Sequence, residues 1–498
     1  MTRYYRFLAC LPSILAISAC TMGPDYAGPP DLASAGENGS FVRTGDAYRE
    51  AEPQLAKWWE VLGDPVLNKL EEQALAGNPD IAVAQARIDE ASAALGEIGA
   101  QAYPTVSASA LAAHLRVPGL DLGGGSDGES GGGAGSSSGS TNETSTTNLF
   151  NLGVQASWEV DLFGGHKRQV EAARAQLSVA EASLADAQIG LTSAVAQTYV
   201  NLRSRREALA IAEESVAQRE AMLVLSQQLF DQGVSPAGAV ESADQALQGA
   251  IRERQQLRAE AEIMLNALAV LTGAAPGAVD DTASGQAPPP LPPAEIAIGN
   301  PSTLIVQRPD IRAAERELAA SSAQIGAVKA AGMPRLSFLG ILGIGGTKIS
   351  DLSVLDDFTA IGAPRLQWSF LDFGRNASQV AQVEARNAGQ AAQYRKVVLQ
   401  ALREVEDSLT RFSYRREDVA TLARIEQSAA RQATLARQRF EEGAGSRLEM
   451  LEAEVALAQS QLALSQARAG LTLDFIAIQD ALGLGWQGGE DATLAQAP

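Results

Sequence analysis

The chain has 498 residues, of which 5% are aromatic, and its formal charge at pH 7 is -20. That length would hold two or three ordinary domains, but the abundance of Ala, Gln, Glu and Arg favours long helices over a compact aromatic core. The acidity excludes nucleic acid as a partner, because neutralising phosphates takes a basic face and none is visible.

Arg3 and Arg6 precede an apolar run from Phe7 to Ala19. The run is long enough for a signal-peptide core and too short to span a bilayer as a helix. Residues 1–19 are therefore predicted to be a signal peptide. The run ends Ile17-Ser18-Ala19-Cys20, which resembles the bacterial lipobox. That resemblance makes Cys20 the acylated first residue of the mature protein and residues 20–77 a lipid-anchored N-terminal segment. Thr21, where inner-membrane retention would use aspartate, implies sorting to the outer membrane. An ordinary signal peptide with an incidental cysteine is the plainer alternative. With Cys10 inside the leader, the mature chain keeps one cysteine and forms no internal disulfide. No other segment has the apolar length of a membrane helix.

Asn78 to Pro104, NPDIAVAQARIDEASAALGEIGAQAYP, is echoed by RPDIRAAERELAASSAQIGAVKAAGMP from Arg308 to Pro334. Asp80 maps to Asp310 and Pro104 to Pro334 at an offset of 230 residues. Trp158 maps to Trp368, Phe163 to Phe373, Gly164 to Gly374, Phe230 to Phe440, Gly233 to Gly443 and Gly273 to Gly483 at an offset of 210. The chain is thus a tandem repeat, with copies at 78–300 and 301–484 and a tail at 485–498. The change of offset falls where Gly123 to Ser140 reads GGGSDGESGGGAGSSSGS. Alone this tract suggests a linker; the repeat places it inside one copy, as an enlarged surface loop.

Each copy opens with a helical pattern that must stop at or before Pro104 or Pro334. Four strand-like segments follow: TVSASALAAHL, NLFNLGVQASWEVD (Asn148 to Asp161), RLSFLGILGIGG and DFTAIGAPRLQWSFLD. Their alternation of apolar and small residues, over lengths of about ten, suits tilted membrane-spanning strands.

Long helices come next. His166 to Ser235 contains no proline and only Gly190 and Gly233; Arg375 to Glu442 contains no proline and only Gly389. About 65 residues of helix would extend roughly 100 Å. Val170, Ala173, Leu177, Ala180 and Leu184 keep a 3,4 spacing, and Leu202, Leu209, Val216, Leu223 and Phe230 recur every seven residues, a coiled-coil pattern. Val380, Val383, Asn387, Gln390, Tyr394 and Val397 keep the spacing with more polar fillings, as a wet flank requires.

The rods end at paired turns, FDQGVSPAGAVESADQAL (Phe230 to Leu247) and FEEGAGSRLEMLEAEVAL (Phe440 to Leu457). Gly233 and Gly443 suit helix C-caps, and Ser235 or Ser446 the N-cap of the returning helix. Ser446 with Glu449 has the capping-box spacing. The tips Gly233, Val234, Ser235, Gly443, Ala444, Gly445 and Ser446 are connectors or partner-docking turns. Glu449 and Glu452, three residues apart, share a helix face, a solvated charged face being the plain alternative. Their first-copy counterparts, Ala239 and Ser242, are uncharged.

Four amphipathic strands leave two unpaired edges, which hydrocarbon does not tolerate, so the strands must close with those of other copies. Closed bacterial barrels have about eight strands or more, and the pattern does not choose between two chains and three. Enzymatic chemistry has little to stand on. His114 and His166 are the only histidines, and neither has the spacing of a zinc site or a triad. The glycine-rich tract lacks the Lys-Ser/Thr and strand-to-helix context of a phosphate loop. No catalytic, cofactor-binding or metal residues are expected. Trp58 and Trp59 suit helix packing, with sugar or lipid binding the alternative.

The chain resembles outer-membrane factors, the TolC- and OprM-like efflux ducts, in their NodT-type lipoprotein branch. The resemblance is carried by Cys20 followed by GPDY (Gly23 to Tyr26), KWWEVLGDPVLNKLEEQALAGNPDI (Lys57 to Ile81) and QRPDIRAAERELAASSAQIG (Gln307 to Gly326). The strand-to-helix junctions Phe163-Gly164 and Phe373-Gly374 and the two hairpin turns complete it, so that it spans essentially the whole mature chain. It implies an α+β membrane protein: a homotrimer forming a twelve-stranded β-barrel, four strands from each chain, continued by a long periplasmic α-helical coiled-coil barrel whose tips close like an iris. It also implies a passive duct, not an enzyme, in the outer membrane and extending into the periplasm. Such a duct carries small molecules or drugs from an inner-membrane resistance-nodulation-division (RND) pump, joined to it by a periplasmic membrane-fusion adaptor at the hairpin turns. By the same resemblance Glu449 and Glu452 align with acidic positions ringing the periplasmic entrance. A duct for type I protein secretion shares the fold; a lipid-anchored coiled-coil scaffold without a pore is opposed by the strand segments.

Overall fold

Prolines and short polar side chains set the element boundaries. The computed structural model describes residues 21–30, 40–46, 48–49, 51, 53, 55–118, 144–285, 287–353 and 358–486. The predicted signal peptide at 1–19, Cys20, the Gly/Ser-rich tract at 123–140 and residues 487–498 of the tail lie outside the described residues.

In chain order the elements are β1 (Tyr48–Arg49), a 3-10 turn (Trp58–Leu62), α1 (Pro65–Gly77), α2 (Pro79–Ala100), β2 (Thr105–Pro118), β3 (Thr144–Val160), α3 (Gly165–Asp231) and α4 (Ala237–Leu271). Then follow β4 (Ile296–Ala297), α5 (Pro301–Gln307), α6 (Pro309–Ala331), β5 (Arg335–Gly346), a second 3-10 turn (Ile349–Ser353), β6 (Phe358–Gln367), α7 (Arg375–Glu441) and α8 (Arg447–Ala481). The series α2-β2-β3-α3-α4 recurs as α6-β5-β6-α7-α8. α3 and α7 each have 67 residues, and α4 and α8 each have 35. The strand hairpins agree to the residue: Thr105 pairs with Ser157 in one and Arg335 with Gln367 in the other. These pairs are counterparts at offsets of 230 and 210.

The chain divides into two compact units. The first comprises the described parts of Met1–Ala27, Ala93–Arg174 and Ala319–Asn387. Its centre is an antiparallel sheet of order β2-β3-β5-β6. The hairpins join through β3 and β5, where Trp158 lies opposite Phe338 and their rings stack with centroids 6.0 Å apart. Trp158 Nε1 also donates to the Ala102 carbonyl at 2.9 Å. Among the described residues the sheet is open, with β2 and β6 at its edges. Pro364 sits within β6, opposite Phe338 of β5. β6 ends at Gln367 rather than at the predicted Asp372, because β5 begins opposite that residue and offers no further partner. Beyond it Trp368, Phe370, Leu371 and Phe373 are exposed. β2 and β3 run further than predicted, pairing Pro118 with Thr144.

The second unit comprises the described parts of Gly28–Ser92, Ala175–Leu318 and Ala388–Pro498. Its core gathers Trp58, Trp59, Leu67, Tyr199, Leu268, Phe412 and Phe475. Trp58 makes edge contacts with Trp59 and Phe475 at 5.9 and 6.1 Å, so the tryptophan pair is core packing and presents no binding surface. Asp64 begins α1: its Oδ1 accepts the Val66 and Leu67 N–H groups at 2.9 and 3.3 Å, and Pro65 follows at the first helical position, where no N–H is needed. Its Oδ2 accepts Tyr199 Oη at 2.8 Å and Arg203 Nη1 at 3.4 Å. Arg203 in turn donates to the Ala287 and Pro288 carbonyls. One buried carboxylate thus ties α1, α3 and the proline-rich segment, and removing a single partner would strand a buried charge. Burial, reinforced by Asp64, holds the Tyr199 phenol above its ordinary pKa. Further along, Val216 packs with Leu247 and Ala250, and Ala208 with Leu257, so the middle of the seven-residue seam of α3 is covered by α4. No helix among the described residues is long and apolar enough to cross a membrane.

Glu71 stands against this economy. It is fully buried on α1, neither carboxyl oxygen has a hydrogen-bond partner among the described residues, and burial holds its pKa well above the usual range. Folding above the unfolded-state pKa of about 4.3 must take up a proton there, so the residue opposes folding at neutral pH and ceases to oppose it in acid. Glu71→Gln is expected to raise the apparent Tm at neutral pH and to lose that advantage near pH 4. A variant equally stabilised at both pH values would contradict this assignment.

Candidate functional site

The hairpin tips are built alike. After α3 the chain reverses through Gly233 at φ 74, whose N–H donates to the Phe230 carbonyl, while Val234 and Ser235 both donate to the Leu229 carbonyl. After α7, Gly443 at φ 72 donates to Phe440, and Ala444 and Gly445 both donate to Arg439. A positive φ at this position admits glycine without steric penalty. Ser446 caps α8 reciprocally: its Oγ accepts the Glu449 N–H and its own N–H donates to Glu449 Oε2, both at 3.1 Å. The first tip departs from the predicted cap. Pro236, not Ser235, occupies the N-cap of α4 and makes no side-chain bond. The repeat sets Pro236 opposite Ser446, which leaves the Ser235 hydroxyl one residue early.

Glu449 and Glu452 are both exposed in the first turns of α8. The Glu449 carboxylate is held at the helix N-terminus by its cap bond, a position the helix dipole favours for a negative charge. On the same helix Glu454 accepts from Arg437 of α7 at 2.5 Å, which locks the pair of helices beneath the tip.

At the first strand-to-helix junction, in the first unit, the segment following Cys20 is docked. Met22 N–H donates to the Phe163 carbonyl at 3.0 Å, and a Cβ on Gly164 (φ 73) would lie 2.6 Å from Thr21 Cγ2. Arg168, 3% exposed, pairs with Asp25 at 2.5 Å and Glu171 at 2.7 Å and donates to the Met22 carbonyl. A Cβ on Gly23 would lie 2.4 Å from Gly326 Cα. GPDY is therefore legible as a docking motif, Gly23 for backbone approach and Asp25 for the arginine. The second junction is bare. Phe373 has φ 53 and is 92% exposed, and a Cβ on Gly374 would meet nothing within 4 Å. Asp372 supplies local order there by accepting the Gly374 and Asn376 N–H groups.

A charged cluster in the second unit had only a motif to announce it. Arg308 grips both oxygens of Asp310 at 2.9 and 2.7 Å, reaches Glu404 at 3.0 Å and donates to the Ala481 carbonyl at 2.6 Å, so it also caps the end of α8. Asp186 and Asp480 line the same cleft. At the counterpart position Asn78 Nδ2 donates to the Leu271 carbonyl at 2.9 Å, the same helix-end contact without the charge. Comparing the two copies position by position is the signal that isolates this arginine. Among the described residues no three His, Cys, Asp or Glu side chains gather as a metal site.

Comparison with known proteins gives these surfaces a context. A model of the family described as outer membrane efflux protein matches residues 70–274 and 300–484. Nodulation protein T of Rhizobium leguminosarum bv. trifolii is 29% identical over 469 residues, covering 93% of this chain and 94% of that protein. Cation efflux system protein CusC of Escherichia coli O6:H1 is 30% identical over 487 residues, covering 95% and 97%. The solved structure of the outer-membrane channel OprN aligns with a TM-score of 0.81 at 30% identity, covering 94% of this chain and 100% of that one. With both repeats matched and relatives spanning nearly its whole length, the chain belongs to the outer membrane efflux protein family.

Proposed function

We propose that the protein is the outer-membrane duct of a tripartite efflux system. In this reading three copies close a twelve-stranded barrel, an RND pump in the inner membrane drives small molecules or drugs into it, and a periplasmic membrane-fusion adaptor docks on the tips Gly233–Ser235 and Gly443–Ser446. The duct itself spends no energy. Cys20 carries the lipid anchor, and the Arg168–Asp25 pair holds the segment after it to the Phe163-Gly164 junction. Residues 78–300 and 301–484 each contribute two strands and one long helical pair.

The observation that carries this reading is the pair of open sheet edges. The free edge of β6 is the counterpart of the β3 edge that already pairs with β5, and the free edge of β2 is the counterpart of the β5 edge that already pairs with β3. A neighbouring copy on each side therefore satisfies the two edges by repeating a junction the chain already makes, as hydrocarbon requires. Such head-to-tail contacts form a ring when the rotation between copies closes, and the curl of the sheet into a barrel supplies that closure here. Transferring the β3·β5 register, in which Gly153 faces Gly343, sets Ala363 of one copy opposite Ala113 of the next. With cysteines at both positions, oxidation in membranes is expected to give a covalent ladder ending at three chains on denaturing gels. An intact oligomer that forms no cross-link would overturn the register.

The tips supply the gate. Six carboxylates from Glu449 and Glu452 of three chains, around a narrow entrance with low-dielectric walls, would focus a field that favours cations. Because Glu449 also caps α8, glutamine is the fitting replacement, since it removes the charge and keeps an acceptor for the Ser446 N–H. Glu449→Gln with Glu452→Gln is expected to reduce the cation-to-anion permeability ratio in planar bilayers by about twofold or more. Unchanged selectivity would remove both residues from the gate.

A further inference from the structure

Counterparts that share a place in the repeat but not an environment mark where another molecule covers the chain. In the second unit Ile189 of α3 is 5% exposed. With Asp186 and Gly190 it faces Arg308, Pro309 and Asp310, at the start of α6, across a cleft. The 210-residue offset places Lys396, Leu399 and Gln400 of α7 at the positions of Asp186, Ile189 and Gly190. Those three line a concavity together with Arg395 and Arg403, yet Leu399 is 52% exposed. The face that is covered on α3 is bare on α7.

The matching cover is bare as well. The counterparts of Pro309 and Asp310 are Pro79 and Asp80; Pro309 is buried, whereas Pro79 and Asp80 are exposed. Val270, the counterpart of Asp480, is 61% exposed. Further along α2, Asp89 and Glu90 are exposed where Ala319 and Ala320 of α6 are buried. One chain thus contains one complete helical junction and two uncovered halves of a second.

We propose that the start of α2 in one copy, Asn78 to Asp80, seats on Lys396, Leu399 and Gln400 of α7 in the next, repeating the α6-on-α3 junction. This rests on the ring proposed above and names the surface and partner that build it: a second copy of the chain. The chemistry of the two junctions differs. Inside the chain the positions hold Asp186, Arg308, Asp310, Glu404 and Asp480, four acids around one arginine. Between chains the same positions hold Lys396, Asn78, Asp80, Ala194 and Val270. Where Asp186 and Asp310 repel and need Arg308 to reconcile them, Lys396 and Asp80 attract directly. Arg395 and Arg403 add positive charge to the α7 wall, opposite a helix that presents acids. Complementary charge sets register and discourages α2 from seating on the acidic wall of α3.

The experiment uses the full chain in its own membranes. Asp80→Cys with Lys396→Cys, treated with a short bismaleimide, is expected to give two-chain and three-chain species on denaturing gels, with neither single variant doing so. In parallel, Lys396→Asp is expected to lower the temperature at which the oligomer dissociates by several degrees, and Asp80→Lys with Lys396→Asp to recover at least half of that loss. An intact oligomer without the ladder overturns the seating and leaves the ring standing. A ladder without charge rescue overturns the ion pair. No oligomer at all overturns the ring itself.

Discussion

Each strand needs a hydrogen-bonding neighbour on both sides, and among the described residues the chain provides that for only two of the four long strands. β3 and β5 are paired on both edges, while β2 and β6 have one partner each. In water such edges are a liability; in hydrocarbon they are untenable, because no solvent can satisfy the unpaired N–H and C=O groups. The family to which the chain belongs fits this constraint, and the long antiparallel helical pairs follow the same two-copy plan as the strands.

Duplication converts the constraint into a construction rule. Two hairpins in the same register and two helical pairs of equal length mean that whatever joins copy one to copy two inside a chain can also join copy two to copy one of a neighbour. The substitutions that break the equivalence are therefore informative. Arg308 replaces Asn78, Ser446 replaces Pro236, and Glu449 replaces Ala239. Each adds a charge or a polar cap to the second copy. Gly164 is roofed by the segment after Cys20 while Gly374 is open, and Phe373 but not Phe163 takes a positive φ, so the two junctions are specialised.

Much of this plan was legible in the sequence because it is written in local chemistry. Pro104 and Pro334 stop α2 and α6, the absence of proline permits 67-residue helices, and Ser446 with Glu449 gives α8 its cap. What was not legible depends on partners distant along the chain. β6 stops where β5 has no more residues to pair with, and the strand-like composition through Leu371 cannot express that. Ser235 looked like a cap because serine favours the role, but the turn places Pro236 there. The Asp64–Tyr199–Arg203 network and the Arg308 cluster join residues far apart in sequence, so no spacing rule could foretell them. The packing role of Trp58 and Trp59 is legible from the apolar residues beside them, Leu62 and Leu67, which are buried in the same core.

The central claim is that a single chain is an incomplete wall and that three complete it. Native mass spectrometry of the protein extracted in a mild detergent, followed by single-channel recording of the same preparation, addresses it most directly. The account predicts a three-chain mass and discrete conductance steps from that species; a monodisperse single chain that inserts into lipid and passes no current would contradict it.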